Sequence, residues 1–249
     1  MCHLCAYHVQ ERRALGANRK KMTTRPAYIH RMFSAIADRY DLLNTLLSFN
    51  RDKYWRRFTV SSLGLKGDEV ILDVATGTGK LAQELVKGIG AKGKVVGIDF
   101  CKRMLYIAKN KSPNTELALA TSESLPFPDN TFDCATIAFA LRNVPDVEKT
   151  LRETTRVVKR GGKVICLEFS RPRHRLFRKI HQLYLFRILP LIGWVLSRDR
   201  EAYIYLPRSI AEFYEPSELK RIMDHTGLKD THFHPLTWGI VTIHAGIKN

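Results

Sequence analysis

Between residues 69 and 169 the chain alternates short apolar runs with helical patterns, and few architectures accept that order. Residues 69–75, 94–99, 116–120, 132–139 and 162–169 read as strands, with helical patterns at 80–89, 101–110 and 146–159 between them. Strands joined through helices cannot be hairpins. They predict a parallel sheet covered on both faces, in which each strand is apolar almost throughout because neither face meets water. The expected fold class is therefore α/β, a doubly wound and mostly parallel seven-stranded sheet.

The ends of the chain complete this plan. Residues 27–47 place Ile29, Met32, Phe33, Ile36, Tyr40 and Leu43 at three-and-four spacing, which predicts an amphipathic helix, and a second helix is expected at 52–63. After residue 171 the alternation stops for a basic, aromatic insertion running to about 210. A helix at 216–226 and strands at 229–234 and 239–247 then close the sheet. One domain is expected over 27–249, comprising an N-terminal helical lid (27–65), the sheet and the insertion, with 1–26 as a loosely ordered tail. Met22 is a candidate natural start.

Net charge is +17, and its placement is more informative than its sum. Residues 171–200 hold eight Lys or Arg against one acid, Asp199. Charge concentrated in this way attracts an anionic surface, either nucleic acid or lipid headgroups. The intervening residues are Leu183, Leu185, Phe186, Leu189, Leu191, Ile192, Trp194 and Leu196, which suit lipid better than a nucleic-acid strand. The plainer alternative is a core helix with a solvated basic rim. No run reaches the ~20 apolar residues that a membrane-spanning helix needs, because His181, Gln182, Arg187 and Pro190 interrupt the longest candidate. The first 22 residues lack the apolar centre of a secretory signal. Five scattered cysteines fit reduced thiols in a cytoplasmic protein. Cys2 and Cys5, with His3 and His8, lack a second ligand pair at zinc spacing, so no metal is expected.

The stretch "DVATGTGK", Asp73 to Lys80, ends the first strand. It is not a phosphate loop, because Val74 stands where the first Gly is required and Leu81 where a hydroxyl would hold magnesium. In a doubly wound sheet the ligand lies at the carboxyl ends of the strands, beside a Gly-rich first turn. Gly77 and Gly79 provide that turn. Asp99 ends the next strand, where an acid accepts hydrogen bonds from both ribose hydroxyls. A dinucleotide is compatible with this geometry, since Ala82 is the small-residue form of the third Gly. S-adenosylmethionine competes for the same site, with Thr121 and Ser122 placed to hydrogen-bond the adenine edge.

The order of glycine loop, acid, adenine turn and Phe-Asp strand resembles the class I methyltransferases. The segments "RYDLLNTLLSFNRDKYWRR", "LDVATGTGK", "LPFPDNTFDCATIAFALRNV", "RVVKRGGKVICLEFS" and "REAYIYLPRSI" together are similar to the quinone-biosynthesis C-methyltransferases. That resemblance spans roughly residues 27–248. It implies an S-adenosylmethionine-dependent enzyme of menaquinone or ubiquinone biosynthesis that methylates a prenylated quinol, either a naphthoquinol or a benzoquinol. The expected location is the cytoplasm, with peripheral attachment to an anionic membrane surface. A homodimer is compatible with this reading, and nucleic acid is not an expected partner. The same fold acting on another phenolic or lipid acceptor is the nearest alternative, and a basic nucleic-acid-binding protein the more distant one.

Residue roles follow from the resemblance. Asp73, Gly77, Thr78, Gly79, Asp99, Thr121, Ser122 and Ala138 are expected at the cofactor. Arg142 and Asn143 are expected at the reaction centre, with Arg142 stabilising a phenolate and Asn143 orienting a ring oxygen; the alternatives are an ordinary salt bridge and a helix cap. Tyr40, Asp41 and Asn44 share one side of the first helix, either over the substrate or as groups that cap and pin that helix. Glu168 receives no role. The resembling family carries Asp where Lys80 stands, Gly at Asn50 and Ala140, and Pro at Arg160. A cation at position 80 would oppose a sulfonium if it faced inward.

Overall fold

The computed structural model describes residues 26–190 and 200–249. Among them one seven-stranded sheet runs β3-β2-β1-β4-β5-β7-β6. Its strands are β1 (Val70–Val74), β2 (Lys94–Asp99), β3 (Thr115–Leu119), β4 (Phe132–Ala138), β5 (Val158–Phe169), β6 (Leu228–Leu236) and β7 (Val241–Lys248). The first five pair in parallel, and β7 is antiparallel to both β5 and β6. The order reverses beside β1, so the crevice outside the carboxyl ends of β1 and β4 is where a ligand belongs.

Burial on both faces explains the apolar runs. Ile71 packs into one core with Leu81, Leu85, Val95 and Ile165, while Leu72 and Val74 pack into the other with Ile98, Ile137, Leu151 and Met223. The fifth strand starts four residues earlier than expected, at Val158. Its ladder with β4 jumps between Phe132 and Cys134, and Gly161 takes φ 76. Gly162 then passes so close to β4 that a Cβ would meet the Asp133 carbonyl oxygen at 2.4 Å. A bulge of this kind breaks the alternation that sequence periodicity relies on.

Two helices, α1 (Pro26–Leu47) and α2 (Arg51–Leu63), precede the sheet. Of the predicted stripe of α1, Ile29, Met32, Ile36 and Leu43 are buried and Phe33 and Tyr40 half-buried, and Leu47, one turn further on, is buried as well. The turn between the helices needs left-handed residues, Phe49 and Asn50, at φ 50 and 63. Asn tolerates that conformation better than most residues, which accounts for its standing where the resembling family has Gly. Helices α3 (Lys80–Gly88), α4 (Lys102–Lys111) and α5 (Val147–Val157) link the parallel strands. Arg160 is exposed on β5.

The insertion begins with α6 (Arg175–Leu183), which continues as a π turn over Tyr184–Ile188. It resumes in α7 (Arg200–Glu212), and α8 (Pro216–His225) follows. Leu183 and Phe186 are exposed as expected of a lipid-facing surface, but Leu185 and Leu189 turn inward and pack against α1. The helical repeat carries them to the opposite side of the π turn. Leu191, Ile192, Trp194 and Leu196, like the Cys2/Cys5 pair and the tail before Pro26, lie outside the described residues. Among the described residues no helix is long and apolar enough to cross a membrane.

Candidate active site

Two adjoining cavities open at the carboxyl edge of the sheet. The smaller, about 310 Å³, is lined by Gly77, Asp99, Phe100, Met104, Thr121 and Ser122, with Ala138 and Asn143 from the end of β4 and Ile29, Phe33 and Tyr40 from α1. The larger, about 610 Å³, lies between α1, α2, α6 and the turn before β7. Tyr40 and Phe139 line both. The two cavities therefore adjoin at these two residues.

Asp99 organises the smaller cavity. It is 5% exposed, and its carboxylate accepts backbone N–H bonds from Gly77 and Cys101, both at 2.9 Å. An ionised carboxylate has about four acceptor sites, so capacity remains for two hydroxyls. Gly77 has φ 58, and a Cβ there would meet nothing within 4 Å; the side-chain space is open rather than filled by protein. Buried acid, open glycine and apolar walls fit an adenosyl group bearing a ribose diol.

The loop beneath is held from inside. Asp73 accepts Thr76 Oγ1 at 2.6 Å and Thr136 Oγ1 at 2.8 Å. Its carboxylate is occupied under the turn and does not line the cavity. Gly79 also lies behind the wall, where a Cβ would press on Ala108 of α4 at 3.2 Å. Thr78 faces α1, donating to Asp41 Oδ1 at 2.6 Å. Of the eight residues expected at the cofactor, Gly77, Asp99, Thr121, Ser122 and Ala138 line the cavity, while Asp73, Thr78 and Gly79 shape it from outside. The next strand end is also constrained. Ala75 after β1 and Phe139 after β4 take φ 54 and 57, left-handed geometry that non-Gly residues adopt at a cost and that clusters at functional sites.

Burial pushes Asp73 and Asp99 up to about 6, against the hydrogen bonds they accept. An acid whose folded pKa is raised binds protons more tightly in the folded state. Stability contributed by the pair is therefore greatest below about 4 and declines as pH rises through 6. Binding of a ligand whose diol sits on Asp99 has the opposite sign, because the diol needs the ionised acceptor. Affinity for S-adenosylhomocysteine is expected to fall about tenfold per pH unit below 6 and to level off above it, as read by calorimetric titration across pH 5–8. A flat profile would remove Asp99 from the binding site.

The larger cavity is apolar with a cationic end. Arg142 Nη1 donates to Glu168 Oε1 at 2.6 Å and to the Phe139 carbonyl at 2.7 Å. Its guanidinium lies 5.1 Å from the centre of the Phe169 ring. Arg56 donates to Asp52 at 3.2 Å and lies 5.2 Å from the centre of the Phe139 ring. Each arginine retains a buried Nε without a hydrogen-bond partner. Trp55, Phe139 and Phe169 pack into one aromatic cluster beneath them, with Phe139 and Phe169 4.8 Å apart. Tyr40 completes the end. Burial pushes its phenol above the ordinary value, while the charges of Arg142 and Arg56 and a hydrogen bond with Asn44 pull it back.

The structure thus brings Arg142, Tyr40 and Asn44 to the larger cavity and directs the other expected groups elsewhere. Asn143 lines the smaller cavity; its side chain donates to the Phe139 carbonyl and accepts Tyr205 Oη at 2.9 Å. Asp146, not Asn143, caps the following helix. Asp41 lines neither cavity, because Thr78 and Lys111 take its carboxylate. Tyr40, Asp41 and Asn44 sit in the interior of α1, so helix capping is excluded for all three. Glu168, Arg56, Trp55 and Tyr205 are the residues that sequence reasoning passed over. Only the Asp52–Arg56 spacing of i and i+4 signals a pair; the Arg142–Glu168 contact joins residues 26 positions apart.

Comparison with known proteins identifies the family. A model of the ubiE/COQ5 methyltransferase family matches residues 21–248. The ubiquinone/menaquinone biosynthesis C-methyltransferase UbiE of Geobacter sulfurreducens is 41% identical over 254 residues, covering 100% of this chain and 99% of that one. Among solved structures, a SAM-dependent methyltransferase of Thermotoga maritima, described as a possible histamine N-methyltransferase, superposes with TM-score 0.64 at 21% identity, covering 89% of this chain and all of that one. The [4+2]-cyclase SpnF gives TM-score 0.65 at 15% identity, covering 88% and 95%. These two likenesses concern the fold alone, which serves different chemistries.

Proposed function

The chain belongs to the ubiE/COQ5 methyltransferase family, and from that membership we propose that it methylates a ring carbon of a prenylated quinol. S-adenosylmethionine supplies, when bound, a methyl group on a sulfonium. The protein's own task is to hold the acceptor in line, exclude water and favour the anionic form of the ring.

The observation that carries this reading is the pair of cavities that meet at Tyr40 and Phe139. The cofactor occupies the Asp99 cavity, and the quinol ring lies at the cationic end of the larger one. A phenol ionises near pH 10, and loss of its proton pushes electron density into the ring carbon. The cluster of Arg142, Arg56 and Lys80 against Glu168 and Asp52 holds three cations against two carboxylates. Its excess of one positive charge, in a wall screened from solvent, lowers the energy of the phenolate. Arg56 and Arg142 line this end of the cavity and set its cationic field toward the ring oxygen. Tyr40 and Asn44 orient the ring from α1, which with α2 forms a lid.

The prenyl tail accounts for the remaining cavity and its rim. Leu185, Leu189, Leu206 and Ile210 line the interior, while Phe49, Ile180 and Trp238 stand 76%, 56% and 80% exposed at the mouth. Beside them Leu176 and Leu183 are exposed on α6, interspersed with exposed Arg173, Arg175, Lys179 and Arg187. Apolar side chains framed by cations are the composition of a surface that enters an anionic headgroup layer. The enzyme acts from the cytoplasm at the membrane surface, where its acceptor resides.

The test combines purified protein, labelled S-adenosylmethionine and reduced demethylated naphthoquinols and benzoquinols in vesicles. Label in the quinol is the expected result; intact cofactor binding with no transfer to any quinol would overturn the reading. Anionic vesicles should float with the protein, and Leu176→Ser/Leu183→Ser/Trp238→Ser should weaken flotation about tenfold or more without altering cofactor affinity. RNA capture at physiological salt with no vesicle binding would replace the membrane surface by nucleic acid.

A further inference from the structure

Lys80 opens α3 directly after the glycine turn, a position where a cation opposes the helix dipole. Its ammonium is turned away from the smaller cavity, whose lining it does not join. Instead Nζ donates to the Asp41 carbonyl at 3.1 Å, to Thr45 Oγ1 at 2.6 Å and to Asp52 Oδ2 at 2.9 Å. All three ammonium protons are used. The first two acceptors lie one turn apart on α1, and the third lies in the first turn of α2.

The receiving carboxylate is itself built in. Asp52 is 3% exposed and also accepts Arg56 Nη1 at 3.2 Å, Thr45 Oγ1 at 3.3 Å and Ser48 Oγ at 3.4 Å. Burial alone would raise its pKa, but the Lys80 hydrogen bond and the charges of Arg56 and Lys80 outweigh that, and it lies below its ordinary value. A second tie sits alongside, from Thr78 and Lys111 to Asp41. The helix so fastened supplies Ile29, Phe33 and Tyr40 to the wall of the Asp99 cavity. Lifting α1 removes that wall.

We propose that Lys80 is a positioning residue that clamps α1 and α2 onto the glycine loop and so controls the release of cofactor from the Asp99 cavity. Through Asp52 the same clamp orients Arg56, linking closure over the cofactor to the cationic end of the larger cavity. Replacing Lys80 by an acid would set a third carboxylate beside Asp41 and Asp52, converting attraction into repulsion. The inference rests on the cofactor occupying the Asp99 cavity but needs no acceptor, so its outcome is separate from that of the quinol assay.

The experiment measures S-adenosylhomocysteine dissociation by stopped flow and hydrogen exchange of the full chain. Lys80→Met is expected to raise the dissociation rate 10- to 50-fold and to lower protection in residues 26–47, leaving β1 and β4 unchanged. Lys80→Arg should stay within threefold of the parent. Thr45→Val, which deletes one acceptor, should raise the rate a few-fold and serves if Lys80→Met does not fold. Unchanged release and unchanged helix protection in the folded variants would overturn the proposal. So would loss of protection spread equally over helix and sheet, which would mark a general structural lesion.

Discussion

Asp99→Ala is expected to weaken cofactor binding by about two to four orders of magnitude. Hydrogen bonds to a charged acceptor contribute about 1.5–3 kcal/mol each, and the ribose diol engages two. Every ~1.4 kcal/mol is tenfold in affinity. The substitution also releases the N–H groups of Gly77 and Cys101 that the carboxylate anchors, so the loop loses its template together with its acceptor. Asp99→Asn should fall between the two, because the amide retains one acceptor and turns an NH2 toward a backbone donor. Calorimetric titration with S-adenosylhomocysteine checks both. Affinity of Asp99→Ala within threefold of the parent would place the cofactor elsewhere.

Arg142→Met is expected to reduce turnover by about 100- to 1,000-fold, the loss seen when one donor to a developing oxyanion is removed, while leaving cofactor affinity within threefold. Arg142 lines the larger cavity and not the Asp99 cavity. The variant will also lose stability, because Glu168 is 1% exposed and its charge partner is gone. Breaking a buried pair costs about 3–5 kcal/mol, which at ~2–4 °C per kcal/mol for a chain of this size lowers Tm by on the order of 10 °C. Burial pushes Glu168 above its ordinary value, with Arg142 opposing, so the unpaired acid escapes part of the penalty by taking a proton. Arg142→Met/Glu168→Leu separates the two effects: its Tm should recover most of the loss while turnover stays low. Equal loss of cofactor binding and turnover in Arg142→Met would refute the division of labour between the cavities.

The lining of the smaller cavity was legible in sequence because its parts are local. Gly77, Asp99 and Thr121-Ser122 each follow a strand end, and a parallel sheet brings successive strand ends to one edge whatever the packing elsewhere. The lining of the larger cavity was legible only in part. Arg142 and Asn143 are adjacent in the chain, yet the backbone turn after Phe139 sends one to the larger cavity and the other to the smaller. Helix spacing put Tyr40, Asp41 and Asn44 on one side of α1, but that side spans a cavity edge, and Asp41 falls on the part of it that meets the glycine loop. The inward turn of Leu185 and Leu189 was hidden for the same reason. Periodicity identifies which residues share a face, and only the neighbouring element decides whether that face is covered.

Strand-helix alternation, doubly buried apolar runs and the glycine turn with its acid were sufficient to determine the α/β sheet and the edge at which the smaller cavity opens. These depend on interactions within about 30 residues and on the handedness that every parallel crossover shares. Tertiary structure decided the contacts between distant segments: Glu168 beneath Arg142, Asp52 between Arg56 and Lys80, and the convergence of Phe49, Ile180 and Trp238 at one mouth. An ion pair or a cavity wall forms wherever packing brings two side chains together, and no periodicity in the chain encodes that meeting. Lys80 shows the difference most directly. As a letter in the loop it is a cation beside the glycine turn; in the fold its side chain turns to Asp52 and ties the loop to the two N-terminal helices.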